Sequence, residues 1–365
     1  MCNDSSQNST TSNQAKPRPQ WLLHAQATWW RSLMAIGMFL HRLAPPRPPN
    51  YTFRRSIPSH FSSQPGSFFL YFYCPTSWRH RDPGQKYPTV INFHGGGFTI
   101  GNACDDARWC HAVVSQVGAV VVSVDYRLAP ENPFPVAVKD GVEAMLYLSE
   151  HEAELGLDVH NFAVSGFSAG GNMAFSVPLR LQAEVQASQR GPVADTSSVY
   201  SGREVLGEVK AATIKAIVAW YPSVDFTRPR PERETIPTRP DLMMPKFFTN
   251  LFDASYLQPP TLDYTSPYLS PAVAPAELLR DLPDMIMIYP CEYDGLRVEA
   301  AAFCKRLKEE IGKTVRLREV EGVPHAWDKS PNPYRTPVKV NEYYRDACDT
   351  LRIIFWGRAE ENQDA

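Results

Sequence analysis

Short apolar runs alternate along this chain with longer stretches in which apolar residues recur every three or four positions. A short run rich in β-branched and aromatic residues predicts a strand, whereas the longer period predicts a helix. The run 119–124, Ala-Val-Val-Val-Ser-Val, is typical of a strand buried on both faces of a sheet. The strands predicted in this way cover 68–73, 89–93, 119–124, 162–165, 213–218, 285–289 and 315–320. The predicted helices cover 104–117, 136–152, 169–184, 296–311 and 338–356.

Strands that alternate with helices need crossover connections between neighbouring parallel strands. The pattern therefore predicts an α/β fold with a mostly parallel sheet and helices on both of its faces. Ligand and catalytic sites in such sheets lie at the carboxyl ends of the strands. The residues that carry chemistry are accordingly expected just after predicted strands.

The two ends of the chain depart from this alternation. The polar stretch over residues 1–18 is expected to be disordered, and residues 357–365 are expected to form a flexible tail. Residues 19–50 form a predicted cap region, and the main α/β domain is expected to cover 51–356. One large domain with insertions accounts for a chain of 365 residues.

Two insertions are predicted within the main domain. Residues 185–210 are rich in Ser, Gly and other polar residues, which predicts an exposed insertion after a helix. Residues 226–280 combine many prolines with Met and Phe side chains, which predicts a lid of one or two helices over a pocket. The alternative is a surface excursion with a small core of its own.

The apolar segment 21–43 contains three Trp residues but is interrupted by polar and basic side chains such as Arg31 and His41. It falls short of the uninterrupted apolar stretch that a membrane span needs, and it favours an amphipathic helix. The prolines from Pro45 onward end that helix. The helix either covers the protein's own pocket or rests peripherally on a membrane surface.

Composition narrows the range of partners. The formal net charge is −2, so nothing indicates nucleic acid or an anionic membrane as the main partner, and a neutral small-molecule substrate is expected. The seven cysteines include no C-x-x-C pair, which is typical of free thiols in a reducing compartment. The N-terminal residues lack the basic start and apolar run of a secretory signal, so a cytoplasmic rather than secreted protein is expected.

A G-x-S-x-G motif, Gly166-Phe167-Ser168-Ala169-Gly170, lies between a predicted strand and a predicted helix. In a nucleophile elbow, a sharp strand-to-helix turn exposes the serine hydroxyl at the sheet edge, and small flanking residues let the backbones pass each other. The bare pattern is common, but its position between these two elements indicates that Ser168 is a nucleophile.

A glycine loop, His94-Gly95-Gly96-Gly97, directly follows the predicted strand 89–93. Its backbone N–H groups at Gly96 and Gly97, together with that of Ala169, could stabilise a developing oxyanion. The alternatives are a flexible turn or a phosphate cradle. A phosphate cradle needs a Gly-Lys-Ser/Thr ending or a G-x-G-x-x-G spacing, and the sequence has neither.

The general base is found by elimination. In folds with this elbow the triad follows the order Ser, acid, His along the chain, and of nine histidines only His325 lies beyond Ser168. Glu292 and Asp294 both follow the strand 285–289 and qualify as the acid, and the place of Asp294 just before a helix favours it. The histidines are too scattered to indicate a metal site.

These motifs together resemble the hormone-sensitive-lipase-like family of α/β-hydrolases. The resemblance covers about residues 65–355 and rests on His94–Gly97, on Asp125–Pro135 (Asp-Tyr-Arg-Leu-Ala-Pro-Glu-Asn-Pro-Phe-Pro), on the elbow at Ser168 and on Glu292–Arg297. It implies an eight-stranded sheet, a helical cap formed partly by the N-terminal segment, and hydrolysis of carboxylic esters without a cofactor or metal. It also supports Asp294 over Glu292, and within the family the sequence is similar to esterases of fungal secondary metabolism.

The sequence departs from the family pattern at Phe167, where the family usually has Asp or Thr, and at Gly295, Val298 and Ala326-Trp327. None of these changes removes a triad residue, so they bear on substrate range and pH behaviour. We expect a serine carboxylesterase that hydrolyses a neutral, apolar, short- to medium-chain ester through an acyl-enzyme. The alternatives are an acyltransferase, lactonase or amidase with the same triad, and a non-catalytic small-molecule receptor on the same scaffold. The sequence predicts no oligomeric state.

Overall fold

The computed structural model describes residues 19–189, 212–233 and 239–357. The predicted tail over 1–18, nearly all of the tail over 357–365 and most of the predicted insertion over 185–210 therefore lie outside the described residues.

Eight strands form one sheet, and two short strands pair separately beside it. The strands are β1 (Phe53–Pro58), β2 (Ser67–Tyr73), β3 (Tyr87–Phe93), β4 (Val120–Asp125), β5 (Leu157–Phe167), β6 (Ile214–Trp220), β7 (Met285–Tyr289), β8 (Cys291–Tyr293), β9 (Thr314–Leu317) and β10 (Val320–Pro324). The main sheet has the order β1-β2-β4-β3-β5-β6-β7-β9. Its β1–β2 and β2–β4 pairs are antiparallel and the others are parallel, which confirms the predicted mostly parallel eight-stranded sheet.

The centre of the sheet is buried on both faces. Every residue of β3 is buried, and its side chains alternate between two apolar layers, with Ile91 in one layer and Val90 in the other. Helices cover both faces, as the near-continuous apolar character of the central strands requires. The helices are α1 (Gln20–Leu43), α2 (Ala107–Val117), α3 (Val136–Glu150), α4 (Glu152–Leu155), α5 (Ala169–Gln189), α6 (Arg230–Arg233), α7 (Lys246–Tyr256), α8 (Ala276–Arg280), α9 (Arg297–Glu309) and α10 (Val340–Trp356).

The strand predicted over 315–320 is wrong as a single element. β9 ends at Leu317, and after two residues β10 begins at Val320 and pairs in parallel with β8, outside the main sheet. The Arg318 N–H donates to the Ile288 carbonyl near the end of β7, and the Val320 N–H donates to the Pro290 carbonyl just after β7. Residues 318–320 therefore run alongside the segment that leads from β7 into β8, and β10 pairs with β8. β1, β8 and β10 were not predicted.

α1 lies against the segment between β6 and β7. The ring of Trp30 stacks on Phe247 of α7 at a centroid distance of 4.9 Å and contacts Phe248 at 4.6 Å. The described part of the segment 226–280 carries α6, α7 and α8. Among the described helices, none combines the length and apolar character needed to cross a membrane.

Candidate active site

The turn between β5 and α5 forces Ser168 into a left-handed backbone conformation, with φ of +54°. Small residues are required on both sides of this turn. A Cβ atom on Gly166 would lie 2.0 Å from the Gly170 carbonyl oxygen, and a Cβ on Gly170 would lie 2.0 Å from the Phe93 carbonyl oxygen. The motif is therefore explained by close backbone approach, and the serine hydroxyl is presented at the carboxyl end of the sheet.

Two further side chains, those of His325 and Asp294, continue from that hydroxyl in a line of contacts. His325 Nε2 lies 2.9 Å from Ser168 Oγ, and His325 Nδ1 lies 2.6 Å from Asp294 Oδ2. The His325 and Asp294 side chains are only 7% and 6% exposed, so their contact is shielded from water. Asp294 Oδ1 also accepts a hydrogen bond from the Leu296 N–H at 3.0 Å, which fixes the carboxylate. The structure thus brings together the three residues that the sequence singled out.

The small β8–β10 pair places Asp294 beside His325. In its register Tyr293 lies opposite Pro324, so the next residue of each strand, Asp294 and His325, emerges at the same point. Glu292, the alternative acid, instead accepts a hydrogen bond from the Gly322 N–H at 2.6 Å and stays near the surface. Geometry therefore favours Asp294.

The glycine loop after β3 lies next to Ser168. Gly96 and Gly97 have positive φ angles of +113° and +59°, and among the described residues their N–H groups donate to no protein acceptor. The Ala169 N–H is also free of an intrahelical partner because Ala169 is the first residue of α5.

His94, the first residue of this loop, is fixed by contacts with Tyr126. The Tyr126 hydroxyl donates to the His94 carbonyl at 2.8 Å, and the two rings stack at a centroid distance of 4.2 Å. Burial lowers the pKa of the His94 imidazole, so the ring is neutral at physiological pH. Gly95 lies against the elbow, since a Cβ there would be 3.1 Å from the Phe167 carbonyl oxygen.

Two chambers meet at Ser168 and His325, which line both of them. The larger chamber has a volume of about 350 Å³ and the smaller about 60 Å³. The larger chamber is lined mainly by apolar side chains from α1, the glycine loop and the segment 226–280, including Met34, Ile100, Met243, Met244, Phe248 and Phe252. Asp105 and Lys329 are its acidic and basic lining residues apart from His325.

Lys329 takes part in a buried network that the sequence did not reveal. Its Nζ lies 2.9 Å from Asp106 Oδ1, 2.6 Å from Asp328 Oδ2 and 3.8 Å from the centre of the Phe167 ring. Burial opposes its charge, but the two carboxylates raise the pKa of Lys329 above its ordinary value. No local pattern connects residues 106, 167 and 329, so only the folded chain shows this contact.

The described residues contain no group of three or more His, Cys, Asp and Glu side chains that could hold a metal ion. The contacts described above bring together a serine hydroxyl, an imidazole and a carboxylate beside backbone N–H donors.

Comparison with known proteins shows the family and the fold. Residues 90–329 match the family model described as "alpha/beta hydrolase fold". Lipase 2 of Moraxella sp. strain TA144 is 32% identical over 242 residues, which cover 65% of this chain and 54% of that protein. An AB hydrolase superfamily protein of Schizosaccharomyces pombe is 31% identical over 257 residues, which cover 67% of this chain and 64% of that protein. The chain thus spans between about half and two thirds of the length of these relatives.

A solved structure extends the similarity over most of the chain. The esterase of Pyrobaculum calidifontis superposes with a TM-score of 0.68 at 26% identity, and the match covers 91% of this chain and 96% of that one. The similar proteins come from bacteria, an archaeon and a yeast, so the expected similarity to fungal secondary-metabolism esterases stays a prediction.

Proposed function

The chain belongs to the α/β-hydrolase fold family, in its hormone-sensitive-lipase-like branch, and we propose that it is a serine carboxylesterase. The observation that carries this proposal is the continuous contact from Asp294 through His325 to Ser168, at 2.6 and 2.9 Å, beside unpaired backbone N–H donors. Nucleophile, base and orienting acid within hydrogen-bond reach are the parts that acyl-transfer chemistry needs.

In the proposed mechanism, Ser168 Oγ attacks the ester carbonyl carbon while His325 Nε2 takes the hydroxyl proton. The carbonyl oxygen becomes an oxyanion that accepts hydrogen bonds from the N–H groups of Gly96, Gly97 and Ala169. The intermediate expels the alkoxide, which receives the proton from His325 and leaves as the alcohol. Water then attacks the acyl-enzyme with His325 again as base, and the carboxylic acid and free serine are released. Asp294 orients the imidazole and stabilises its cationic form throughout.

We propose a neutral, apolar, short- to medium-chain ester as the substrate. The apolar lining of the larger chamber supports this class, since such pockets bind ligands mainly by burying apolar area. Asp105 and Lys329, which also line this chamber, do not oppose an apolar substrate. Burial raises the pKa of Asp105 to about 7, which keeps much of that carboxyl uncharged, and Lys329 already has two carboxylate partners.

The test is hydrolysis of p-nitrophenyl esters from acetyl to decanoyl by wild type and by Ser168→Ala. We expect activity on part of this series, and a loss on the order of a thousandfold or more in kcat for the variant. Ser176→Ala is a matched control, because Ser176 lies on α5, the helix that begins directly after Ser168, and its hydroxyl has no hydrogen-bond partner among the described residues. Retained hydrolysis in a folded Ser168→Ala protein would refute the mechanism.

The same triad could pass the acyl group to another alcohol or an amine, or cleave a lactone or amide. Product analysis with competing acceptors separates these reactions from hydrolysis. A receptor role is disfavoured because the geometry of the triad is intact.

We also propose that α1 contacts a membrane surface peripherally. Its outward face exposes Trp21, Trp29, Ile36 and Phe39, with no charged residue among these positions, while its inward face packs on α7. Aromatic residues on such a face suit the headgroup boundary of a bilayer. Liposome flotation tests this proposal. We expect binding that Trp21→Ser/Trp29→Ser weakens, and binding equal in both proteins, or absent, would refute it.

A further inference from the structure

The smaller chamber ends at a wall that separates it from an outer groove. The groove has a volume of about 820 Å³ and is lined by residues of α1, α7 and the segment after β6. The residues that line both the chamber and the groove are Phe226, Arg230, Arg233, Asp253 and Leu257. Shared lining residues mean that the two spaces lie back to back, with these side chains between them.

Part of this wall is fixed. The Arg233 guanidinium bonds to both carboxylate oxygens of Glu299, from Nε at 2.6 Å and Nη2 at 2.9 Å, and both side chains are only 3% exposed. Arg233 also lies over the Phe226 ring, with 4.9 Å from its Cζ to the ring centre. A buried ion pair with two hydrogen bonds does not separate readily, because separation would leave two buried charges unpaired.

The other part of the wall is closed by one partly exposed ion pair. Arg230 on α6 donates from Nε and Nη2 to the two carboxylate oxygens of Asp253 on α7, at 2.6 and 2.7 Å. Their side chains are 23% and 29% exposed, so water can replace the contacts when the pair separates. The pair bridges two helices that are otherwise separate elements of the segment 226–280.

We propose that the Arg230–Asp253 ion pair determines substrate size, by closing the smaller chamber against the outer groove. The inference rests on the proposed esterase function. The volume of the smaller chamber, about 60 Å³, is a small fraction of the volume of about 350 Å³ of the larger chamber. The group of the ester that sits in this chamber is therefore short, whereas a chamber joined to the groove accepts a longer chain.

The experiment compares size preference in two ester series, one with growing acyl chains on a constant alcohol and one with growing alcohols on a constant acetyl group. For Arg230→Ala and Asp253→Ala, we expect kcat/KM for the long members of one series to rise relative to its shortest member by on the order of tenfold. That is the effect expected when one or two methylene groups gain room. The other series reports on the larger chamber, and its profile should stay unchanged.

Two further variants sharpen the test. Arg239→Ala removes an equally bidentate pair, Arg239–Asp241, from the same segment, and Arg239 is not among the described lining residues of either space. It should keep the wild-type profile. The charge swap Arg230→Asp/Asp253→Arg should restore the preference for short groups, because an ion pair can form again in the reversed sense.

The outcomes separate the two proposals. If wild type hydrolyses no ester of either series, the proposed function fails. If wild type is active but Arg230→Ala and Asp253→Ala show wild-type size profiles in both series, the wall has no role in specificity. A uniform loss of activity across both series, without a change in size preference, overturns the inference as well.

Discussion

Acidification should destabilise the contact between α1 and the loop that follows His325, through the buried imidazole of His41 on α1. Its Nδ1 lies 2.9 Å from the Ser330 carbonyl oxygen, and its Nε2 accepts a hydrogen bond from Arg108 Nε at 3.3 Å. A carbonyl oxygen can only accept a hydrogen bond, so the imidazole proton resides on Nδ1. Nε2 is then the unprotonated nitrogen that accepts the hydrogen bond from Arg108. Protonation of Nε2 would place a second cation against the Arg108 guanidinium in a site that is 1% exposed.

The size of the expected loss of stability follows from the shifted pKa of His41. Burial, followed by the positive charge of Lys329, lowers the pKa of His41 from 6.5 to about 4. The unfolded protein keeps the ordinary pKa of 6.5, so below pH 6.5 it binds a proton that the folded protein does not bind. The folded protein therefore has its full stability above pH 6.5 and loses stability as the pH falls towards 4. Linkage then gives a loss of about 2 kcal/mol in the free energy of unfolding between pH 8 and pH 5.

Urea unfolding of wild type and His41→Asn across that pH range measures the effect. The asparagine amide can still donate to the Ser330 carbonyl but does not titrate. The difference between the two proteins is the quantity to plot, because Asp105, with its raised pKa, contributes a pH dependence of opposite sign in the same range. That contribution is common to both proteins and cancels. A difference that stays constant within about 0.5 kcal/mol from pH 8 to pH 5 would refute the reasoning.

Three further outcomes are expected. Asp294→Asn should lower kcat by about two to four orders of magnitude, whereas Glu292→Gln should change it only severalfold, and equal losses in ester hydrolysis would contradict the assigned acid. Lys329→Met leaves two buried carboxylates unpaired and should lower the free energy of unfolding by about 3–5 kcal/mol in urea, and a loss below 1 kcal/mol would contradict the described network. Gly170→Ala puts a Cβ 2.0 Å from the Phe93 carbonyl oxygen and should cost about 1–3 kcal/mol by the same measurement, and wild-type stability would show that the elbow can relax.

The main sheet was predictable because its central strands are buried on both faces, which leaves the near-continuous apolar runs seen in β3 and β4. Ser168 and His325 were predictable for a different reason, since the crowded elbow demands glycines and the order of the triad leaves one histidine. The β8–β10 pair was not predictable. Its strands have three and five residues and contain Glu, Gly and Pro, and about thirty residues of chain separate them in the sequence.

Contacts between distant charges escaped prediction as well. Arg230 and Asp253 belong to a segment whose apolar residues predicted helices, but no spacing in the sequence connects those two side chains across α6 and α7. An ion pair depends on where the helices come to lie, and that is decided by the packing of the whole segment. The wall of the smaller chamber therefore depends on the tertiary structure, and no sequence motif predicts it.

Phe167, the residue directly before Ser168, makes a tertiary contact that its position in the sequence does not indicate. Its ring is fully buried, with the Lys329 ammonium 3.8 Å from its centre. A desolvated cation–π contact contributes about 2 kcal/mol. Lys329 lies four residues after His325, and Asp106 lies just before α2, so the ring, the ammonium and this carboxylate join the elbow to the loop of the base. The cation–π contact and the Lys329–Asp106 ion pair thus connect the residue before Ser168 with the loop that carries His325.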